Sequence, residues 1–262
     1  MLYNFFILQL LLVVNQCFYT TSRRVKRVIR GTEVECGEQP RVTSLLNSTS
    51  LQHLCGAVLL SPNFALTAAH CVHFDTDQYL LQLNNYCVED TGMYPKAEIF
   101  EIITNNRYNI ESRAHDIALL RITVGMDDIM WLNDTVLPAS SFGVSGDCKV
   151  YGYGFKNLYE TDTSETLLEG KMRIVSLDEC TEKLGPHVAP KFDSGMMCAV
   201  GDGVDSCQGD SGSPLICNGF LEGICSYGMS CGVSGLPGVY TGIGAHLNWI
   251  HNIIHLQLSE TD

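Results

Sequence analysis

The stretch Cys207-Gln208-Gly209-Asp210-Ser211-Gly212-Ser213-Pro214 decides how the rest of the sequence is interpreted. It places a serine between an aspartate and a glycine in a segment that could, by itself, be only a tight turn. Two other polar residues border apolar runs. Thr67-Ala68-Ala69-His70-Cys71 ends one run with an imidazole, and His115-Asp116-Ile117-Ala118-Leu119-Leu120 begins another with a carboxylate. Together the three segments supply a nucleophile, a general base and an orienting group for acyl transfer.

In their order and spacing the three motifs resemble those of the chymotrypsin family of serine proteases, and of trypsin in particular. The likeness runs from Val28 to about His255. It implies an all-β fold of two packed six-stranded antiparallel β-barrels, with the active site in the cleft between them and a closing C-terminal helix. An α/β-hydrolase is excluded, because its chain order is Ser, Asp, His and its G-x-S-x-G motif needs a glycine where Ser213 stands.

The resemblance also implies a catalytic role for each motif. Ser211 would be the nucleophile, His70 the general base, and Asp116 the group that orients the imidazole. The backbone N–H groups of Gly209 and Ser211 would form the oxyanion hole, and glycine suits position 209 because a side chain there would hinder close approach. The expected enzyme is an endopeptidase that works through an acyl-enzyme, without a cofactor or a metal.

Specificity for Arg or Lys is implied by Asp205, six residues before Ser211. In trypsins the residue at this spacing lies at the bottom of the pocket for the side chain before the cleaved bond. A carboxylate there would pair with a guanidinium or an ammonium. Ser226, Gly228 and Gly238 would line the walls and leave the slot open for a long side chain. Three positions depart from the family pattern: Tyr227 where Trp is usual, Ser230 where Gly is common, and Cys225 where Val is common.

The first residues of the chain predict a secreted precursor. Phe5–Val14 is an apolar run too short to span a bilayer. We therefore assign residues 1–20 to a signal peptide, with cleavage anywhere from about Cys17 to Ser22 and a retained membrane anchor as the alternative. Residues 21–27 would be an activation propeptide and residues 28–262 the protease domain.

A basic cluster, Arg23-Arg24-Val25-Lys26-Arg27, directly precedes Val28. In trypsin-like precursors a cut at this point frees an ammonium that pairs with the aspartate beside the catalytic serine, here Asp210, and orders the oxyanion hole and pocket. Capping or losing Val28 would therefore disable the site. The cluster fits the Arg-x-Lys-Arg pattern of furin-like convertases, and an Arg-specific protease acting on itself is equally compatible.

Twelve cysteines indicate an oxidising compartment. The resemblance implies four disulfides: Cys55–Cys71, Cys207–Cys231, Cys180–Cys198 and Cys148–Cys217. A Cys36–Cys87 bridge is a further hypothesis, and it would leave Cys225 as a thiol near the pocket. A pairing of an odd cysteine between chains is the alternative.

Composition and charge limit the remaining classes. A net charge of −13 argues against nucleic-acid binding. Sequons at Asn47 and Asn133 fit glycosylation of a secreted protein. Expected partners are polypeptides with Arg or Lys before the cleaved bond and protein protease inhibitors, with no membrane contact after signal removal, and the chain is expected to be a monomer. A protease-like binding protein without catalysis is the alternative, although all three catalytic residues are present. An acidic carrier explains none of the motifs.

Short apolar or alternating runs between turn residues predict β-strands along most of the chain. They include Leu54–Leu60, Phe64–Ala69, Tyr79–Leu83, Ala97–Ile103, Ile117–Ile122, Cys148–Tyr153, Lys171–Val175, Ser213–Cys217, Phe220–Ser226 and Gly238–Ile243. Ser176-Leu177-Asp178-Glu179 predicts a capped helix start. Apolar residues at helical spacing predict a final helix over Ala245–Leu256.

Overall fold

A computed structural model gives the structure of the chain. It describes residues 31–35, 38–39, 41–73, 75–83, 95–123, 137–138, 147–154, 166–201, 203, 206, 208–229, 233 and 235–258. These residues form two closed antiparallel β-barrels and two α-helices.

A short strand, β1 (Thr32–Glu33), precedes the first barrel. The six strands of that barrel are β2 (Val42–Asn47), β3 (His53–Ser61), β4 (Phe64–Thr67), β5 (Tyr79–Gln82), β6 (Lys96–Thr104) and β7 (Ala118–Thr123). They pair in the ring order β2-β3-β4-β7-β6-β5, which leaves no open edge. Leu45, Leu66, Leu81 and Leu119 are fully buried in its core. Burial of each such side chain stabilises the fold by about 1.5–3 kcal/mol.

The second barrel comes from the C-terminal half of the chain. Its strands are β8 (Cys148–Gly152), β9 (Leu168–Val175), β10 (Met196–Gly201), β11 (Pro214–Cys217), β12 (Phe220–Tyr227) and β13 (Gly238–Gly242). They pair in the order β9-β10-β13-β12-β11-β8, and pairing between β8 and β9 closes the ring. Strand β1 adds to the outside of β9. The predicted fold of two six-stranded barrels is therefore confirmed.

All ten runs predicted as strands overlap an observed strand, with small differences at their ends. The run Phe64–Ala69 is too long, since β4 ends at Thr67 and Ala69 begins a 3-10 turn, Ala69–Cys71. The short strand β1 and strands β2 and β10 are absent from those runs. Strand β2 carries two polar residues, Thr43 and Ser44, that are fully buried, so it lacks the polar and apolar alternation of a half-buried strand.

Both helices lie where the sequence predicts them. Helix α1 spans Leu177–Leu184, and Ser176 is its N-cap residue. The Ser176 side chain accepts a hydrogen bond from the Glu179 N–H at 3.1 Å. The negative charges of Asp178 and Glu179 lie in the first turn, where they stabilise the helix by interacting with the positive end of its dipole. Helix α2 (Leu247–Leu258) starts two residues later than predicted, because residues 244–246 form a 3-10 turn in which His246 N–H bonds Ile243 C=O.

Three of the four expected disulfides are present. Cys55–Cys71 ties β3 to the turn that carries His70, Cys148–Cys217 joins β8 to β11, and Cys180–Cys198 joins α1 to β10. Each contributes roughly 2–4 kcal/mol by restricting the unfolded chain. The remaining cysteine predictions concern residues outside the described part of the chain: Cys36, Cys87, Cys207 and Cys231.

Candidate active site

His70 and Asp116 meet at the edge of the first barrel. His70 lies in the 3-10 turn after β4, and Asp116 lies just before β7. The two strands are neighbours, with Thr67 paired to Ala118, so their ends bring the two side chains together. His70 Nδ1 lies 2.6 Å from Asp116 Oδ2, and His70 N–H donates to Asp116 Oδ1 at 2.9 Å. The carboxylate thus holds both the ring and the backbone of the histidine.

Asp116 is fully buried and has further partners from the second barrel. Ser226 Oγ donates to Asp116 Oδ2, and Thr241 Oγ1 donates to the Asp116 carbonyl at 2.7 Å. Burial acts to raise the pKa of Asp116, but the hydrogen bonds from His70 and Ser226 and the charge of His70 outweigh it and hold this pKa below its ordinary value. Asp116 is therefore ionised at neutral pH, and its oxygens can only accept.

The protonation of His70 follows from that charge. An ionised carboxylate has no proton to donate, so the hydrogen between Asp116 Oδ2 and His70 Nδ1 belongs to the imidazole. In the neutral ring the other nitrogen, Nε2, is then an acceptor. The His70 side chain is 14% exposed whereas Asp116 is not exposed at all, so the acceptor side of the ring is the one that solvent and ligands can reach.

Ser211 lies in a turn of the second barrel that is bound to the first. Gly56 N–H donates to the Ser211 carbonyl at 2.7 Å. The neighbour of Gly56, Cys55, is bridged to Cys71, which directly follows His70. This short chain of bonds links the serine turn of the second barrel to the residue that follows His70 in the first barrel.

Two glycines give the serine turn its shape. Gly209 and Gly212 have φ of +91° and +80°, a region that other residues rarely adopt. A Cβ at Gly212 would lie 2.2 Å from the Gly56 carbonyl oxygen, so close packing as well as conformation requires glycine there. In the sequence, glycine at position 209 is expected because a ligand approaches closely there. The positive φ of Gly209 is a second reason, which only the structure reveals.

His53 is a site residue that the sequence motifs do not reveal. It begins β3, its Nε2 lies 2.7 Å from the Gly209 carbonyl oxygen, and its Nδ1 lies 2.6 Å from Ser44 Oγ. Burial lowers the pKa of His53, and the bond to Gly209 only partly offsets that effect. The neutral ring must donate from Nε2, because a carbonyl can only accept, so Nδ1 accepts from Ser44. His53 therefore fixes the peptide that follows Gly209.

Asp210, the expected partner of a new N-terminus, is fully buried beside Ser211. Its Oδ1 accepts from Gly154 N–H at 2.8 Å. A Cβ at Gly152 or Gly154 would lie within 2.5 Å of its carboxylate group, so this strand end leaves room only for glycine. Arg27 and Val28 lie outside the described residues.

The walls of the expected specificity pocket remain a prediction, and only some of their residues lie in the described part of the chain. Ser226, which is predicted to line the pocket, is buried, and its hydroxyl donates to Asp116. A Cβ at Gly228 would meet no atom of the described residues within 4 Å, and one at Gly238 would lie 3.2 Å from Ser206 Oγ. Cys225 packs in the core of the second barrel. Asp205 and Ser230 are outside the described residues.

The two glycosylation sites remain predictions, and one of them lies in the described part of the chain. Asn47 ends β2, and its Oδ1 accepts from the N–H groups of Thr49 and Ser50, which fixes the turn that carries the sequon. Asn133 is outside the described residues.

Within the described ranges, one group of side chains is close enough to suggest a metal, namely Cys55, His70 and Cys71. Both sulfurs are consumed by a disulfide, so they offer no thiolate ligands. None of the helices in the same ranges has the length and apolar character needed to cross a membrane.

Fold and site together define a serine hydrolase of the two-barrel type. The sequence matches the Trypsin family over residues 28–250. It is 33% identical over 241 residues to kallikrein-8 of Rattus norvegicus, with 88% of this chain and 87% of that one covered. It is 32% identical over 236 residues to kallikrein-11 of Mus musculus, with 87% and 82% covered.

A solved structure agrees. Neuropsin, described as a serine protease expressed in the limbic system of mouse brain, superposes with a TM-score of 0.74 at 30% identity, covering 86% of this chain and 98% of that one. The chain belongs to the trypsin family of serine endopeptidases. Polypeptides are accordingly its class of substrate, and protease inhibitors its class of protein ligand.

Proposed function

We propose that this protein is a secreted endopeptidase that cleaves after Arg or Lys, with Ser211, His70 and Asp116 as its catalytic residues. The observation that carries the proposal is the pair of bonds from His70 to a fully buried, ionised Asp116. That arrangement leaves the partly exposed imidazole with an acceptor nitrogen that the Ser211 hydroxyl would use. A buried carboxylate that only stabilised the fold would not need a partly exposed histidine as its partner.

The proposed mechanism follows from these protonation states. As Ser211 Oγ attacks the carbonyl carbon, its proton passes to His70 Nε2, and the C–O bond of the acyl-enzyme replaces the C–N bond of the peptide. The same proton then goes to the leaving amine. A water molecule next attacks the acyl carbon and gives a proton to His70 Nε2, which passes it to Ser211 Oγ as the bond between the serine and the acyl group breaks. Asp116 stabilises the imidazolium that forms between these steps. The N–H groups of Gly209 and Ser211 would donate hydrogen bonds to the carbonyl oxygen and stabilise the negative charge that develops on it.

Support for the oxyanion hole comes from the backbone of the serine turn. Gly209 has a left-handed conformation, and His53 donates to its carbonyl group. Gly212 N–H is bonded to the Cys225 carbonyl at 2.8 Å, and Ser213 N–H to the Asp210 carbonyl at 2.9 Å. Because these bonds restrain the residues on both sides of Ser211, the two N–H donors would need little rearrangement when charge develops.

Specificity for basic residues rests on Asp205 at the floor of a slot between residues 226–228 and Gly238. A Cβ at Gly228 would meet no atom of the described residues within 4 Å, which supports a slot that a long side chain can enter. Activation rests on cleavage after Arg27, which would free Val28 to pair with Asp210. The full burial of Asp210 supports this role, because a carboxylate in such a place is costly unless positive charge or hydrogen-bond donors compensate it.

The precursor organisation remains part of the proposal. Residues 1–20 would direct secretion, residues 21–27 would keep the enzyme inactive, and residues 28–262 would form the mature monomeric enzyme. The three disulfides support folding in an oxidising compartment. Glycans on Asn47 and Asn133 would be added in the same compartment.

The test is hydrolysis of short peptide reporters that end in Arg, Lys, Phe or Ala. Protein cut after Arg27 is compared with the uncut precursor and with a cut Ser211→Ala variant. We expect fast cleavage after Arg and Lys by the cut wild type alone. Cleavage after Phe or Ala would overturn the role of Asp205 and keep the catalytic mechanism. No cleavage by protein with Val28 verified as its N-terminus would favour a protease-like binding protein.

A further inference from the structure

A groove of about 680 Å³ lies next to the catalytic aspartate. One wall is the segment 107–115, which runs directly into Asp116, and the other is the segment 186–194, which leads into β10. Tyr227, at the end of β12, also lines it. Because Tyr227 stands between Ser226 and Gly228, the groove adjoins the proposed slot for the basic side chain.

The walls of the groove are fastened to each other and to the barrel. His115 N–H donates to the Ser194 carbonyl at 2.9 Å, which joins one wall to the other. Tyr227 Oη donates to the Val188 carbonyl at 3.1 Å, which joins β12 to the second wall. Asn109 Oδ1 accepts from the N–H group of Ser112 at 2.9 Å and tightens the first wall. These hydrogen bonds hold the two walls of the groove in fixed positions relative to each other and to strand β12.

The groove lining carries a small excess of positive charge, although the whole chain carries a net charge of −13. Its lining contains three basic side chains that are charged at all relevant pH values and only two acidic ones: Arg107, Arg113 and Lys191 against Glu111 and Asp193. Among the described residues, Arg107 and Lys191 form no ion pair, and both are exposed at the rim. Their charge is available to a ligand.

Arg113 is the basic residue closest to the chemistry. Its Nη1 is buried, lies 3.9 Å from Asp116 Oδ2, and has no hydrogen-bond acceptor within the described part of the chain. The side chain as a whole is 36% exposed, so part of it is accessible from the groove. A guanidinium has five N–H donors and pairs with a carboxylate through two of them. Arg113 therefore has donors to spare for an acidic group in the groove.

We propose that this groove selects an acidic side chain, Asp or Glu, located two to four residues before the bond that is cut. The inference rests on the proposed function, because that function places the residue before the cleaved bond in the slot at Gly228. The preceding residues then extend past Tyr227 into the groove. Arg113 is the principal determinant, supported by Arg107 and Lys191.

The test uses matched peptide reporters that all end in Arg and differ at one position. Glu is compared with Gln, and Asp with Asn, at the second, third and fourth residue before the cleaved bond. We expect kcat/KM to be about threefold to tenfold higher for the acidic member at one or more of these positions. The advantage should shrink as salt is raised from low ionic strength to about 0.5 M, because screening weakens the pairing.

Variants assign the preference to the groove. Arg113→Gln should reduce the ratio of kcat/KM for acidic and neutral reporters to about one, and the Arg107→Gln, Lys191→Gln double variant at the exposed rim should reduce it partly. Lys171→Gln, in a basic cleft elsewhere on the second barrel, is the matched control and should keep the ratio. The double variant guards against misfolding of Arg113→Gln, because its two side chains are exposed.

Different results would refute the proposed function and the selectivity of the groove. If no Arg reporter is cleaved, the proposed function fails. If the neutral Arg reporters are cleaved but no acidic member is preferred at any of the three positions, the inference about the groove is wrong. A preference that survives in both Arg113→Gln and the double variant would also overturn it, because the acidic residue would then be recognised elsewhere.

Discussion

Removing the Ser226 hydroxyl should weaken the fold and slow catalysis through a single atom, Asp116 Oδ2. This oxygen is fully buried and accepts from Ser226 Oγ and from the His70 ring. Hydrogen bonds to charged groups contribute about 1.5–3 kcal/mol. Ser226→Ala should therefore lower the free energy of unfolding by about that amount. Since one pKa unit corresponds to about 1.4 kcal/mol, the pKa of Asp116 should rise by roughly one to two units. Less stabilisation of the imidazolium should reduce kcat by about tenfold.

Ser213→Ala is the matched control. Ser213 is also buried, directly precedes the neighbouring strand β11, and its hydroxyl has no hydrogen-bond partner among the described residues. Its removal should change the free energy of unfolding by less than about 0.5 kcal/mol. Urea unfolding at pH 7 and steady-state kinetics on an Arg reporter give both readouts. If Ser226→Ala is no more destabilising than Ser213→Ala, then the bond to Asp116 does not have the value assigned to it.

Other parts of the site lead to further expectations. His53→Ala should lower kcat by about tenfold with little change in KM, because the Gly209 carbonyl loses its donor, and His53→Gln should restore part of the loss; steady-state kinetics measure both. Burial lowers the pKa of His246 to about 4, so the unfolded chain binds more protons between pH 4 and 6.5 and stability is lost as the pH falls through that window. Wild type should lose about 3 kcal/mol more than His246→Gln across it, measured by urea unfolding at each pH. Gly195→Ala should cost about 2 kcal/mol or more in the same assay, since φ is +70° and a Cβ would lie 2.6 Å from both His115 Nδ1 and His246 Cε1.

Each of these expectations has a contradicting result. Equal kcat for His53→Ala and wild type would mean that the Gly209 peptide is held by other contacts. Parallel loss of stability with pH in wild type and His246→Gln would mean that His246 is not neutral in the folded state. Full stability of Gly195→Ala would mean that the two buried histidines can separate without cost.

The architecture was predictable because local patterns and motifs agree. Short apolar runs between turn residues predict ten strands, and Ser176 with Glu179 predicts a helix start that the structure contains. Strands β2 and β10 are harder to find. Strand β10 (Met196–Gly201) contains no residue of strong β-propensity except Val200, and β2 buries polar side chains that a sequence pattern assigns to the surface.

The site was predictable where one motif carries one role and not where roles depend on contacts between distant elements. His70 and Asp116 are far apart in sequence, yet their motifs identify both, and the structure joins them. His53 carries no motif, and only its contact with Gly209 across the barrel interface reveals what it does. The direction of the Ser226 hydroxyl is also a tertiary property, because either face of β12 was open to it on the sequence alone. Arg113 becomes notable only through its distance to Asp116.

The most direct test of the central claim is covalent labelling of the nucleophile by an organophosphonate reagent, followed by peptide mapping. Protein with Val28 as its N-terminus should acquire one phosphonyl group per chain on Ser211 Oγ, with loss of peptidase activity in the same proportion. The uncut precursor and a His70→Ala variant should react far more slowly, because the serine lacks its activated setting. Stoichiometric labelling of another residue, or no labelling of the cut protein, would contradict the assignment of Ser211 as the nucleophile.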